Sequence, residues 1–151
     1  MTRPARERVE EAYRALASGQ LGEIAKYYHE DLRWLVPGGH ELAGWYRGRD
    51  AFLALMARTG KLTGGSFAME RRAVLVGDGF SADLCRNLGT RAEAPAGSTS
   101  PYDRLDMDVF HLLRWEDGRV VEGRDGLFGD DATAFSQFWS QLASDGSRTA
   151  G

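Results

Sequence analysis

About halfway along this chain the spacing of apolar residues changes from that of a helix to that of a strand, and few small folds accept that order. In the first half, Val9, Ala12, Tyr13 and Leu16 recur at helical intervals and Gly19 follows where a C-terminal cap belongs, which predicts a helix over residues 4–18. Leu21, Ile24, Ala25 and Tyr28 predict a second helix over 21–28. Leu32, Trp34 and Val36 alternate as a short strand that Pro37-Gly38-Gly39 stops. A loop holding His40, Trp45 and Tyr46 leads to a third helix over 49–59, with Phe52, Leu55 and Met56 on one face and Asp50 suited to its positive end. Alternation then predicts strands over 67–76, 80–89, 102–115 and 119–128. After Asp130 and Asp131, Phe135, Phe138, Trp139 and Leu142 return to helical spacing. Helices followed by sheet indicate the α+β class, in a single domain over 1–143 with a disordered tail over 144–151. The stretch 90–101, rich in Ala, Gly, Ser, Thr and Pro, is expected to be a long hairpin loop placed to cover a pocket mouth.

Composition narrows the partners. A chain of 151 residues can bury one core and a small cavity, and no apolar run approaches the roughly 20 residues of a membrane helix. The N-terminal segment is a charged amphipathic helix, so neither export nor membrane contact is expected. Cys85 is the one cysteine, which excludes an internal disulfide and a cysteine-based zinc site and fits a reducing cytoplasm. A net charge of −3, with arginines scattered among acids, leaves no basic stripe for nucleic acid.

The candidate chemistry lies in three acid-base residues on successive predicted strands: Asp83, His111 and Asp125. The short Asp117-Gly118-Arg119 turn makes the last two strands neighbours, so the three side chains can meet in one pocket. His111 shares its face with Met107, Val109, Leu113 and Trp115, an apolar row suited to a cavity wall, while Asp106, Asp108, Phe110, Leu112 and Arg114 face the other way. A histidine in such a pocket needs a carboxylate to keep its charge, and two carboxylates brought close together divide one proton between them. The bland alternatives are surface ion pairs of Asp83 and Asp125 with Arg86 or Arg124, and a structural His111 bonded to backbone. Trp34, Trp45 and Tyr46, together with Val36, Met107 and Val109, are expected to shape a substrate pocket. His29, Asp31 and His40 match no metal-binding spacing, and neither a metal nor an organic cofactor is expected.

The strings AYRALASG, YYHEDLRWLVPGG, LAGWYRGRDAFLAL and VFHLLRWEDGRVVEGRD, in this order, resemble the SnoaL-like proteins of the nuclear transport factor 2-like superfamily, over about residues 9–139. The resemblance implies a curved antiparallel sheet wrapped around helices into a cone with an internal cavity, and frequent homodimers through the sheet. The superfamily holds polyketide cyclases, ketosteroid isomerase, limonene epoxide hydrolase and non-catalytic domains, so fold alone does not choose among them. Limonene epoxide hydrolase resembles this chain at its two catalytic aspartates, which fall on Asp83 and Asp125. Its arginine falls on Ser81, and its water-holding Tyr and Asn fall on Trp34 and Val36. The oxyanion-stabilising acid of ketosteroid isomerase falls on His111, its base on Val36 and its tyrosine on Ala12. The expected activity is therefore cofactor-free acid-base chemistry on an apolar or aromatic small molecule, as in the SnoaL-like cyclases and isomerases of bacterial secondary metabolism. Asp125 and Asp83 would share the acid and base roles, with His111 exchanging a proton with an oxygen. Epoxide opening, by water or an internal hydroxyl, and a non-catalytic binding or association domain are the alternatives.

Overall fold

Gly19 takes a φ of 67° at the end of α1 (Arg6–Ser18), a left-handed cap that turns the chain directly into α2 (Leu21–Ile24). In this computed structural model residues 4–142 and 147–148 are described. α2 is a single turn, shorter than the apolar spacing suggests, because Tyr28 already belongs to β1 (Tyr28–Val36): it pairs with Val120, whose N–H donates to the Tyr27 carbonyl. The loop expected around Trp45 contains a strand, β2 (Gly44–Arg47), that pairs antiparallel with β1. Then come α3 (Arg49–Leu62), β3 (Ala68–Gly77), β4 (Phe80–Thr90), β5 (Arg104–Glu116), β6 (Arg119–Leu127) and α4 (Ala132–Phe138).

The six strands form one sheet in the order β2-β1-β6-β5-β4-β3. It is curved and open, with α1 packed on β3, α3 on β1 and β2, and α4 on β5. The sheet is antiparallel, as the resemblance implies, in four of its five strand pairings, while β1 runs parallel to β6. Both strands enter the sheet from the same end, and the long excursion between them through α3 and four further strands allows a parallel pairing that no hairpin can make. The core lies between sheet and helices, around the fully buried Tyr28, Leu32, Phe52, Leu113 and Phe138.

Two tight turns fix the register of the second half. Asp78-Gly79 joins β3 to β4, and Asp117-Gly118, with φ of 50° and 76°, joins β5 to β6, the primed geometry that follows strand twist. An unbroken ladder from the second turn would set Arg124 opposite His111. Instead the register shifts between Arg114 and Trp115, with Val121 as the extra residue, so that Asp125 is the partner of His111. This one-residue bulge puts a carboxylate inside and the guanidinium outside.

The segment between β4 and β5 is tied down at its base. Buried Arg91 donates from Nη1 to the carbonyls of Phe138 and Ser140, at 2.7 and 2.9 Å, and the Ala92 N–H donates to Leu62. It packs against the ends of α3 and α4 and does not line the central cavity. Of the tail expected to be disordered, 144–146 and 149–151 lie outside the described residues, while Arg148 forms an isolated bridge with Leu142 and pairs with Asp103 and Glu93. Among the described residues no helix is long and apolar enough to cross a membrane.

Candidate functional site

Antiparallel pairing sets Asp83 directly opposite His111, and His111 directly opposite Asp125. Directly opposed residues project from the same face of a sheet, so one transverse row across β4, β5 and β6 carries carboxylate, imidazole and carboxylate. His111 Nδ1 lies 2.9 Å from Asp83 Oδ2 and its Nε2 lies 3.6 Å from Asp125 Oδ1. Asp83 is buried behind the imidazole, where its Oδ1 accepts from the Tyr13 hydroxyl at 2.7 Å and its Oδ2 from the Cys85 thiol at 3.2 Å. Trp34 Nε1 donates to Asp125 Oδ1 at 3.0 Å. The Trp34 ring reaches that carboxylate by lying flat on β6 at Gly123, where a Cβ would sit 2.2 Å from the ring, and it stacks on Phe52 with centroids 4.5 Å apart.

The charges in this row are set by burial and by neighbours. Burial disfavours the His111 imidazolium, but the Asp83 hydrogen bond and the two carboxylate charges outweigh it and raise its pKa to about 10. Burial likewise disfavours ionised Asp83, yet the hydrogen bonds from His111, Tyr13 and Cys85 hold its carboxyl below the ordinary range. Asp125 moves the other way: burial raises it, against the opposing pull of His111 and the Trp34 hydrogen bond. Burial and the Asp83 charge push Tyr13 well up, so it stays a neutral donor. Burial and neighbours thus favour an imidazolium anchored on one side by a carboxyl held low, with a carboxyl held high on its other side.

Asp125 and His111 border an inner cavity of about 50 Å³, together with Trp34, Val36, Phe52, Met56 and Asn87. Asp83 is one layer behind its wall. An open cleft of about 500 Å³ adjoins the cavity and shares Leu16, Met56, Thr59, Phe67 and Met69 with it. Of the residues singled out in the sequence as pocket-shaping, Trp34 and Val36 lie in the lining of this cavity, and Trp45, Tyr46, Met107 and Val109 do not. Because β2 is a strand, Trp45 and Tyr46 point to opposite faces: Trp45 is on the exterior between the guanidiniums of Arg33 and Arg124, at 5.0 and 5.1 Å, and Tyr46 turns inward but donates its hydroxyl to the Leu42 carbonyl. Met107 and Val109 are buried on the His111 row, as core below the cavity. Tyr13 and Asn87 were not anticipated. Tyr13 fitted the helix core pattern equally well, whereas the inward row Ser81, Asp83, Cys85 and Asn87 on β4 was a polar alternation that pointed to Asn87.

The chain matches the SnoaL-like domain over residues 9–123. The chain belongs to the SnoaL-like family. A protein of Mycobacterium tuberculosis (strain ATCC 25618 / H37Rv), itself uncharacterised, is 33% identical over 133 residues, covering 87% of this chain and 93% of that one. Among solved structures, Bal32a from a soil-derived mobile gene cassette is 30% identical with a TM-score of 0.75, over 88% of this chain and 94% of its own. A putative polyketide cyclase from Sinorhizobium meliloti shares the fold at 12% identity, with a TM-score of 0.60 over 81% of this chain and 95% of its own.

Within this SnoaL-like domain the positions that differ from the two superfamily enzymes have local occupations. Ser81 accepts the Trp115 indole N–H at 2.9 Å, Val36 gives the cavity an apolar wall, and Ala12 offers its carbonyl to the Tyr28 hydroxyl. Asp83, Cys85 and His111 bring ligand-type atoms within 4.8 Å of one another. A cation there would have to displace hydrogen bonds that already use Asp83 Oδ2, His111 Nδ1 and Cys85 Sγ. His29 and His40 are absent from the cavity lining and locally bonded: His29 Nδ1 accepts from Asp31 N–H, and His40 spans the Pro37 carbonyl and the Leu42 N–H.

Proposed function

We propose that this SnoaL-like domain is a cofactor-free acid-base enzyme acting on an apolar or aromatic carbonyl compound, a cyclase or isomerase of bacterial secondary metabolism. The observation that carries the reading is the single cross-strand row in which His111 and Asp125 border a cavity while Asp83 holds the imidazole from behind. Asp125 is the base. Its carboxylate takes a proton from carbon next to the substrate carbonyl, and the electron pair moves onto the carbonyl oxygen, which His111 Nε2–H meets as donor. Asp83 touches no substrate in this scheme and is a positioning residue: with Tyr13 it fixes the imidazole and keeps it charged.

The inner cavity of about 50 Å³ accommodates only the reacting end of such a molecule, given that a water needs roughly 10–15 Å³ on this measure. The rest of the substrate would occupy the adjoining cleft of about 500 Å³. An imidazolium beside a carboxylate also suits opening of an epoxide by the substrate's own hydroxyl, with His111 protonating the epoxide oxygen and Asp125 taking the hydroxyl proton. The partners proposed are a small molecule and a second copy of the chain, and buried Cys85, the one cysteine, fits a reducing cytoplasm.

The test is hydrogen-deuterium exchange at the acidic methylene of β-tetralone, followed by NMR. The protein is expected to accelerate exchange, and Asp125→Asn to lose about 10²-fold or more of that acceleration, the usual share of general acid-base catalysis. Exchange at the buffer rate in the presence of the native protein would remove the enzymatic reading.

A further inference from the structure

The open cleft next to the cavity is lined by two charged residues, Arg14 on α1 and Arg71 on β3, and both are cations. Arg71 is the inward member of a run of two arginines. Its neighbour Arg72 points to the convex face and pairs with Asp108, as Arg86 on β4 pairs there with Glu70 and Asp106. Arg71 is half-buried with its guanidinium 4.5 Å above the Tyr13 ring, and among the described residues neither it nor Arg14 has a carboxylate partner. Among the described residues, then, no ion pair covers the positive charge at this mouth, in a chain whose net charge is −3. Tyr13 connects the mouth to the chemistry: the ring that carries Arg71 has its centroid 5.9 Å from that of His111, and its hydroxyl holds Asp83.

We infer that Arg14 and Arg71 form an anion-binding subsite, and that the substrate carries a carboxylate at the end remote from its reacting carbon. This deepens the proposed function and rests on the reading that the Asp125 cavity and its cleft hold the substrate. The planar guanidinium fork suits a carboxylate, and its stacking on Tyr13 orients it in advance. The apolar wall of Leu16, Met56, Phe67 and Met69 takes the body of the molecule between the subsite and the cavity. A carboxylate held at the mouth and a reacting carbon at Asp125 give the substrate one orientation.

Calorimetric titration with naphthoate and its neutral counterpart naphthamide tests this, on the native protein, Arg71→Gln, Arg71→Lys and Asp125→Asn. The native protein is expected to prefer naphthoate by about tenfold, the discrimination of a charge-assisted hydrogen bond, and to lose preference as salt rises. Arg71→Gln should abolish the preference while leaving naphthamide affinity unchanged, Arg71→Lys should restore part of it, and Asp125→Asn should retain it. Equal affinity of the native protein for the two compounds, an undiminished preference in Arg71→Gln, or binding of neither compound would overturn the subsite. Because β-tetralone carries no charge to engage the subsite, its exchange on the native protein reads the Asp125 cavity while the naphthoate preference reads the subsite, and the two proposals fail separately.

Discussion

Gly123 lacks a side chain where the Trp34 ring needs the space, and the ring in turn reaches Asp125. Gly123→Ala would put a methyl group into an indole already stacked on Phe52, so the ring must move rather than rotate. The expected effect is a loss of about 1–3 kcal/mol in urea unfolding, as for other overpacked sites, with loss of the Trp34–Asp125 hydrogen bond seen as a shifted indole N–H signal. An unchanged indole signal would show that Trp34 does not depend on Gly123. His111 was legible in the sequence because it interrupts an apolar alternation, and Asp83 and Asp125 because they fall on the flanking strands. The division of labour between the aspartates was not legible. It depends on which carboxylate Tyr13 and Cys85 reach, and those contacts join α1 to β4 across 70 residues and neighbours on β4 across two. Trp45 misled for a local reason: without β2 there was no alternation to turn it outward.

At the level of elements, the bulge in β6 decides whether the site exists. The Asp117-Gly118 turn alone would deliver Arg124 to His111, and the extra residue Val121 substitutes Asp125. Inserting one residue after Glu122, beyond the bulge, is expected to slip the ladder by one and bring Arg124 opposite His111 in place of Asp125, so the His111 pKa should fall steeply from about 10, as read by NMR. A His111 titration unaffected by the insertion would mean that the register is set elsewhere. The turn itself could be read from its Asp-Gly pair, and the strands from their alternation. The bulge could not, because a one-residue insertion leaves every propensity unchanged and is enforced by pairing with β1 and β5. The same neighbour explains the shortened α2, since Tyr28 follows the helical spacing yet is claimed by β6.

On the scale of the whole molecule, the two faces of the sheet have separate tasks. The concave face holds the row and its cavity. The convex face exposes Leu75, Phe80, Phe110, Leu112 and Phe128, rimmed by the Arg72–Asp108 and Arg86–Asp106 pairs. Contiguous exposed apolar residues of this kind mark an association surface, and we propose a two-fold dimer through it. Leu112→Glu, on the outer row of β5, should shift the protein to a monomer in sedimentation equilibrium while leaving the cavity intact; a native protein that is already monomeric would refute the dimer. Because inner and outer residues alternate on the same strands, the coupling of His111 to the two carboxylates belongs to the inner row alone. It is tested most directly by the NMR titration of the His111 imidazole in the native protein, Asp83→Asn and Asp125→Asn. His111 is expected to stay protonated through neutral pH and to titrate near 10, and removal of either carboxylate charge to lower this value. A His111 that titrates near the ordinary 6.5 and ignores both substitutions would contradict it.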